Sequence, residues 1–213
     1  LLRDQLVVFG RYSVEFYFDN GTTPTPLLRI SQNTMRIGMS HANTLAQAGD
    51  TICWVAEGPA VGEGSRTVWL MEPGKVRPIS TPVIDRFVTA EGASISSSSA
   101  WLQRIGGHLL YCLNLSSAAR TFVYDVDLDM WCEWSNTGTA VFPVIATTAN
   151  AGIIYGIDAT NGRTYTFGET TYQDSGSNFT VTLQTEKYDF GTPFNKFQEG
   201  LWLMGDNVAQ NVS

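Results

Sequence analysis

The amino-acid sequence predicts an all-β fold, and more narrowly a β-propeller with blades of antiparallel strands. Two observations lead to this prediction. Of the 213 residues, 43% are hydrophobic and 12% aromatic but only 15% are charged, a composition that suits β-rich domains and does not suit disorder or a coiled coil. Short strand-like segments also occur in pairs, and these pairs recur at a spacing typical of propeller blades.

Each pair joins two short segments that are rich in aromatic and β-branched residues and bounded by turn residues. The first members are LVVFG (6–10), TICWVA (51–56), HLLYCL (108–113) and GIIYGI (152–157). The second members are SVEFYF (13–18), RTVWLM (66–71), RTFVYDV (120–126) and RTYTFG (163–168). Side chains alternate, with Phe122, Tyr124 and Val126 on one face, so we expect hairpins of half-buried strands.

An aromatic residue in the first strand of each pair gives the length of the repeat. Phe9, Trp54, Tyr111 and Tyr155 follow one another at intervals of 45, 57 and 44 residues. Propeller blades are roughly 40–50 residues long with four strands each, so each unit has room for two more strands. We expect these further strands after a hairpin at LLRIS (27–31), VRPIS (76–80) and MWCEW (130–134), and before the last hairpin at ATTAN (146–150).

One short helix is predicted at STPVIDRFV (80–88), where Ser80 or Thr81 can cap the first turn and a proline lies within it. We interpret this helix as an insert between blades. The serines at 96–99 are expected to form a polar loop before Trp101.

Two domains follow from this pattern. We assign residues 1–177 to about four propeller units, and residues 178–213 to further strands of an extra blade or an adjoining sheet domain. Because the chain starts at Leu1 inside an apolar run, we expect it to be a segment of a longer protein.

The charge balance limits the range of partners. The net charge is −7 and the basic residues are scattered, which argues against specific binding of nucleic-acid phosphate backbones. An acidic surface can still face DNA in a conduit, where repulsion prevents sticking. No apolar run approaches the roughly 18–20 residues of a membrane span, and we predict no membrane partner. The three cysteines, Cys53, Cys112 and Cys132, are predicted to be buried free thiols.

The segment DVDLD (125–129) carries three alternating aspartates, which could indicate a calcium loop, a catalytic carboxylate pair or a turn. An EF-hand needs Gly at position 6 and Glu at position 12, but Met130 and Asn136 occupy those positions. We therefore predict a turn between two strands, with Asp127 and Asp129 supplying the turn chemistry.

Other motifs select no site. The triplets DFG (189–191) and GEG (62–64) lack the rest of a kinase or phosphate-loop signature, and His41 and His108 lack zinc-ligand spacing. Carboxylates on the repeated strands leave glycoside hydrolysis open, although no feature selects a pair; they are Glu15, Asp125 and Glu133. Four tryptophans on strands are expected to pack between blades; they are Trp54, Trp69, Trp131 and Trp134. We assign no catalytic, cofactor-binding or metal-binding residue.

Four segments occur in an order that resembles a known family. They are LVVFGRYSVEFYFDNG (6–21), GMSHANTLAQAGDTICWVA (38–56), VRPISTPVID (76–85) and RTFVYDVDLDMWCEWSN (120–136). Together they resemble the packaged-DNA stabilisation proteins of short-tailed bacteriophages, also called tail hub or nozzle proteins. The resemblance covers about residues 5–190.

The resemblance implies a structural virion protein with a β-propeller and neither catalytic residues nor a cofactor. Such proteins assemble in the bacterial host cytoplasm into a homo-oligomeric ring, a hexamer in this family. In the virion tail the ring contacts the portal-adaptor complex and other tail proteins. It extends the DNA channel and helps to retain the genome, which passes through the lumen without sequence-specific binding.

Two alternatives stay open. A propeller that binds or hydrolyses glycans would have a carboxylate pair and an aromatic platform at its channel mouth. A kelch-like or WD-like scaffold would carry a Gly-His…Trp-Asp signature in each blade, and this signature is absent from the sequence.

Overall fold

The computed structural model describes residues 4–58, 62, 64–136 and 141–168. These residues belong to the first of two units of the chain, Leu1–Phe179. They form four sheets of antiparallel strands that follow one another along the chain. Each sheet is built around one of the four hairpins predicted from the sequence.

The first sheet contains the predicted hairpin and the predicted third strand. Its strands are β1 (Gln5–Phe9), β2 (Val14–Asp19) and β3 (Leu27–Arg29), in the order β1-β2-β3. A short 3-10 helix, Ser31–Asn33, follows. Met35 then pairs with Val14, the first residue of β2, through two backbone hydrogen bonds of 3.0 Å. The chain therefore runs beside β2 as it leaves the sheet.

The second sheet has five strands. They are β4 (Gly38–Met39), β5 (Ala46–Ala48), β6 (Thr51–Glu57), β7 (Arg66–Glu72) and β8 (Lys75–Pro78). Strands β6, β7 and β8 were predicted. The short strands β4 and β5, separated by the 3-10 helix Ala42–Thr44, were not, and both pair with β6.

A helical connection leads to the third sheet. Helix α1 (Pro82–Ala90) confirms the predicted helix, and Thr81 caps it by accepting a hydrogen bond of 3.4 Å from Ile84 N. Ser80 does not cap the helix, because its hydroxyl accepts from Val68 N and donates to Asp85. A 3-10 helix, Gly92–Ser97, completes the connection.

Buried Glu91 fastens this connection to the third sheet. Its side-chain oxygens accept backbone hydrogen bonds from Ser117 N at 2.9 Å and Ala118 N at 2.7 Å, both in the loop between the hairpin strands. Glu91 is only 3% exposed, and buried carboxylates need such donors to offset their lost hydration.

The third sheet is a complete four-stranded meander. Its strands are β9 (Ser99–Ile105), β10 (His108–Leu115), β11 (Arg120–Asp125) and β12 (Met130–Trp134). The expected polar loop at 96–99 is wrong, since the 3-10 helix ends at Ser97 and β9 begins at Ser99. Pairing with β10 along the whole of β9 supplies the backbone hydrogen bonds that hold the chain extended from Ser99 onward.

The fourth sheet extends the predicted hairpin by one strand. It contains β13 (Val144–Asn150), β14 (Ile153–Asp158) and β15 (Thr164–Phe167), in that order. The ATTAN segment is confirmed as a strand and lengthened to Val144.

The sheets stack in chain order, and adjacent residues of one strand pack in different interfaces between sheets. On β6, Trp54 packs with the first sheet while Val55 packs toward the third. On β11, Tyr124 faces the second sheet and Val123 faces the fourth. The predicted alternation is therefore confirmed, but half-burial is wrong for these central strands. Both faces are apolar because each lies against a neighbouring sheet.

Three buried polar side chains form hydrogen bonds between the sheets. Tyr111 OH donates to Thr44 O at 2.7 Å, joining the third sheet to the second. Asn114 Nδ2 and Trp101 Nε1 both donate to Val144 O, at 2.7 and 3.0 Å, joining the third sheet to the fourth. Such directional bonds fix how the apolar faces are aligned.

The strands before the hairpins lie side by side. Strand β9 contacts β5 on one side and β13 on the other. These three strands carry mainly small or uncharged side chains, and Arg104 is their single charged residue. Among the described helices, none is long and apolar enough to cross a membrane.

Candidate functional site

The DVDLD segment forms the turn between β11 and β12, as the sequence predicted, but through a different aspartate. Asp125 Oδ1 accepts hydrogen bonds from Asp127 N at 2.9 Å and Leu128 N at 3.1 Å. Asp127 and Asp129 were expected to supply this chemistry; their carboxylates do not form these hydrogen bonds, but Asp129 adopts the left-handed turn conformation, with a φ of 57°. Their carboxylates point instead to other parts of the sheet stack.

Asp127 binds back to the start of the hairpin. Its Oδ2 accepts from Leu109 N at 2.7 Å and lies 3.2 Å from Arg104 Nη1. The backbone hydrogen bond from Leu109 is the main reason that the pKa of Asp127 is lowered, and the Arg104 charge adds to it. This carboxylate therefore stays ionised in mildly acidic solution.

Asp129 takes part in a link between the second and third sheets. Arg77, on β8, reaches across with Nη1 3.1 Å from Asp129 Oδ1 and Nη2 donating to Tyr124 OH at 3.0 Å. Tyr124 OH donates to Asp129 Oδ1 and closes the triangle. These hydrogen bonds, first from Tyr124 and then from Arg77, lower the pKa of Asp129. We call Arg77, Tyr124 and Asp129 the intersheet clamp.

A histidine joins the same hairpin. His108 begins β10, and its Nδ1 lies 2.8 Å from Asp125 Oδ2. The donor atoms of His108, Asp125 and Asp127 all lie within 4.8 Å of one another. The sequence showed no zinc-ligand spacing around His108 and did not predict this group, because strand pairing, not sequence proximity, brings residues 108 and 125 together.

The candidate carboxylates for glycoside hydrolysis differ in their partners and in their orientation. Glu15 is paired with Arg29 at 2.9 Å, and Glu133 with Arg120 at 3.4 Å. Asp125 and Glu133 lie on the same sheet. Glu133 is paired with Phe122, which lies an odd number of residues from Asp125 along β11. The two carboxylates therefore point to opposite faces of the sheet.

A cleft of about 430 Å³ lies between the first and second sheets. Its floor contains Phe16, Met35, Met71 and Val76, and Glu72 is the one carboxylate among the described residues that line it. A glycosidase needs two carboxyl groups, and a sugar platform needs an exposed ring, whereas Phe16 is 8% exposed. The cleft therefore does not favour the glycan alternative.

The other residues singled out in the sequence are His41 and the three cysteines. His41 Nδ1 accepts from Asn43 N at 3.3 Å at the start of a 3-10 helix. All three cysteines are free, and Cys53 and Cys112 are buried, but Cys132 is exposed, so its predicted burial is wrong. Cys132 lies on β12, the outer strand of its sheet. Burial raises the pKa of the other two thiols, which keeps them protonated and unreactive.

The tryptophans pack between sheets as predicted. Trp54 and Trp69 contribute to the interface of the first and second sheets, Trp131 to the next and Trp134 to the last. Trp131 also donates to Ile79 O at 2.7 Å across the interface. The DFG triplet and the segment 178–213 lie outside the described residues, as does part of GEG.

Stacked antiparallel sheets around a repeated hairpin define a propeller-type repeat protein. A profile of the phage protein family described as bacteriophage P22 Gp10, β-propeller, matches residues 1–172 of the chain. The protein belongs to this family, which confirms both the predicted fold class and the resemblance to the phage stabilisation proteins. It is therefore a structural protein of the phage particle, where it assembles with other phage proteins. A search of curated protein sequences found no match.

Proposed function

We propose that this chain is part of a tail nozzle or hub subunit of a short-tailed phage. The subunit extends the DNA channel below the portal-adaptor complex and helps to retain packaged DNA. The observation that carries the proposal is the family match over residues 1–172. The propeller-type stack supports it, because such a stack offers several loop-bearing edges for contacts with other proteins.

The proposed assembly is a closed homo-oligomeric ring, with a hexamer expected from the family resemblance. Subunits of a ring meet through heterologous contacts, so one surface of each subunit must fit a different surface of the next. The ring is assembled in the host cytoplasm and contacts the portal-adaptor and other tail proteins. The proposed role is mechanical and includes neither catalysis nor a cofactor. We also propose that residues 1–177 form propeller blades, and that residues 178–213 form further strands of an extra blade or an adjoining sheet domain.

Electrostatics supports the proposed relation to DNA. With a net charge of −7, the ring repels a DNA duplex at close range, so the duplex slides through the lumen without binding. Retention then depends on closing the conduit mechanically, since the protein has no basic cluster with which to hold phosphates.

The experiment uses phage that carry an amber codon in this gene, grown in hosts with and without a suppressor. Without the protein, we expect particles that lack a ring below the portal complex in electron micrographs. Their nuclease-protected DNA should fall at least about tenfold. A matched amber codon in a dispensable phage gene controls for the procedure.

Two results would contradict the proposal. One is the absence of the protein from tails purified from suppressed phage. The other is normal DNA retention in particles that have lost the ring, which would leave a tail role but remove the stabilising one.

A further inference from the structure

Three metal-ligating side chains from different parts of the third sheet converge at one corner of it. They are His108 at the start of β10, Asp125 at the end of β11 and Asp127 in the following turn, with donor atoms within 4.8 Å of one another. We propose that these residues form a binding site for a divalent transition-metal ion such as Zn²⁺. The site shares no residue with the clamp formed by Arg77, Tyr124 and Asp129.

The distance between His108 and Asp125 suits a shared ion. Zinc lies about 2.0–2.2 Å from nitrogen and oxygen ligands, so two adjacent ligands of one ion are about 3 Å apart. His108 Nδ1 and Asp125 Oδ2 are separated by 2.8 Å. An ion bound by both atoms requires only a small movement of either side chain.

The backbone already holds both carboxylates in place. Asp125 uses Oδ1 for the amides of the turn, which leaves Oδ2 directed at His108. Asp127 is held by Leu109 N at 2.7 Å, one residue from His108. Because ligands fixed by such surrounding bonds lose little freedom on binding, this corner of the sheet is preorganised.

The ligand set selects the class of ion. One imidazole and two carboxylates suit Zn²⁺, Co²⁺ or Ni²⁺, whereas Ca²⁺ and Mg²⁺ prefer oxygen ligands alone. Three protein ligands leave a position for water or for a side chain of a neighbouring protein. Arg104, 3.2 Å from Asp127 Oδ2, opposes the ion with its positive charge. We therefore expect weaker binding than in a zinc finger.

The test uses the 213-residue chain with Cys132→Ser, which removes the exposed thiol as a competing zinc ligand. Titration with ZnCl₂ in a calorimeter should give one saturable site, and Co²⁺ should develop visible absorption bands. His108→Ala should weaken zinc binding by at least about tenfold. His41→Ala removes the other histidine and should leave zinc binding unchanged.

Asp127→Asn provides a second variant, since its amide oxygen can still accept from Leu109 N. It should also weaken zinc binding by about tenfold or more, with an unchanged circular dichroism spectrum. The proposal is overturned if no saturable binding occurs up to ~1 mM Zn²⁺. Equal affinities of the His108→Ala and His41→Ala variants would overturn it as well, because the ion would then lie elsewhere.

Discussion

Gly38 holds the second sheet against the hairpin of the first. A Cβ atom added at this position would lie 1.8 Å from Arg11 O and 2.5 Å from Tyr12 N. Next to it, Met39 N donates to Gly10 O at 2.9 Å. The two backbones are therefore in direct contact, and only a residue without a side chain fits between them.

Gly38→Ala should lower the free energy of unfolding by about 1–3 kcal/mol, because the extra methyl group forces the two backbones apart. Urea denaturation followed by tryptophan fluorescence measures the change. Gly10→Ala is the matched control, since its added Cβ would lie 3.3 Å from the nearest atom, Ser13 O, and should cost less. Equal losses for both variants would show that the contact at Gly38 yields easily.

Individual site residues were harder to predict than the turn that contains them. The alternation of aspartates in DVDLD indicated a turn, and a turn is present. Which carboxylate closes it depends on rotamers that the sequence does not reveal, so Asp125 was missed in favour of Asp127 and Asp129. His108 was missed because its partner Asp125 comes from the neighbouring strand, seventeen residues away.

Between elements, the clamp joins β8 of one sheet to β11 and the turn of the next. Arg77 is mostly buried, with 25% of its side chain exposed, whereas Asp129 is 64% exposed. Exposed ion pairs contribute about 0.2–1 kcal/mol each. The clamp therefore orients β8 against β11 and the turn more than it stabilises the stack.

The clamp should also make stability depend on pH. Because the folded-state pKa of Asp129 is lowered, its contribution is complete above the unfolded value, near 3.8, and is lost as pH falls through the folded value. Asp129→Asn should thus reduce the loss of stability between about pH 4 and pH 2, measured as urea midpoints. Asn tolerates the positive φ of 57° at this position.

Asp19→Asn serves as the control for this experiment, since Asp19 accepts a hydrogen bond from Gly21 N in an exposed turn. This variant should keep the acid sensitivity of the unmodified chain. If both variants respond to acid like the unmodified chain, the clamp makes no measurable contribution.

Hairpin strands were predictable, whereas the strands that precede them were mostly not. β10 and β11 carry apolar or β-branched residues on both faces, with Tyr111, Phe122 and Tyr124 among them, which gives a strong local signal. β9 opens with serine and alanine, and β4 and β5 are only two and three residues long. Pairing to an established hairpin edge makes these segments extended, and single-sequence propensity does not contain that information.

At the scale of the whole molecule, the acidic balance should prevent DNA binding. A fluorescent 30-base-pair duplex should show no saturable binding to the chain up to about 10 μM protein in 50 mM salt, where non-specific binders with many phosphate contacts do bind. Fluorescence anisotropy measures this. A histone-like basic protein is the positive control. Salt-sensitive binding of the duplex to the chain below about 1 μM would contradict the prediction and reveal a basic surface that the net charge does not show.

The stacking of the sheets in chain order has a consequence for synthesis. The second sheet packs on the third and the third on the fourth, so each interface joins segments that leave the ribosome one after the other. Folding can then proceed sheet by sheet with short loop closures. The apolar face of the newest sheet stays in water until the next segment emerges. Slow translation at the connections between sheets would prolong this exposure and favour aggregation.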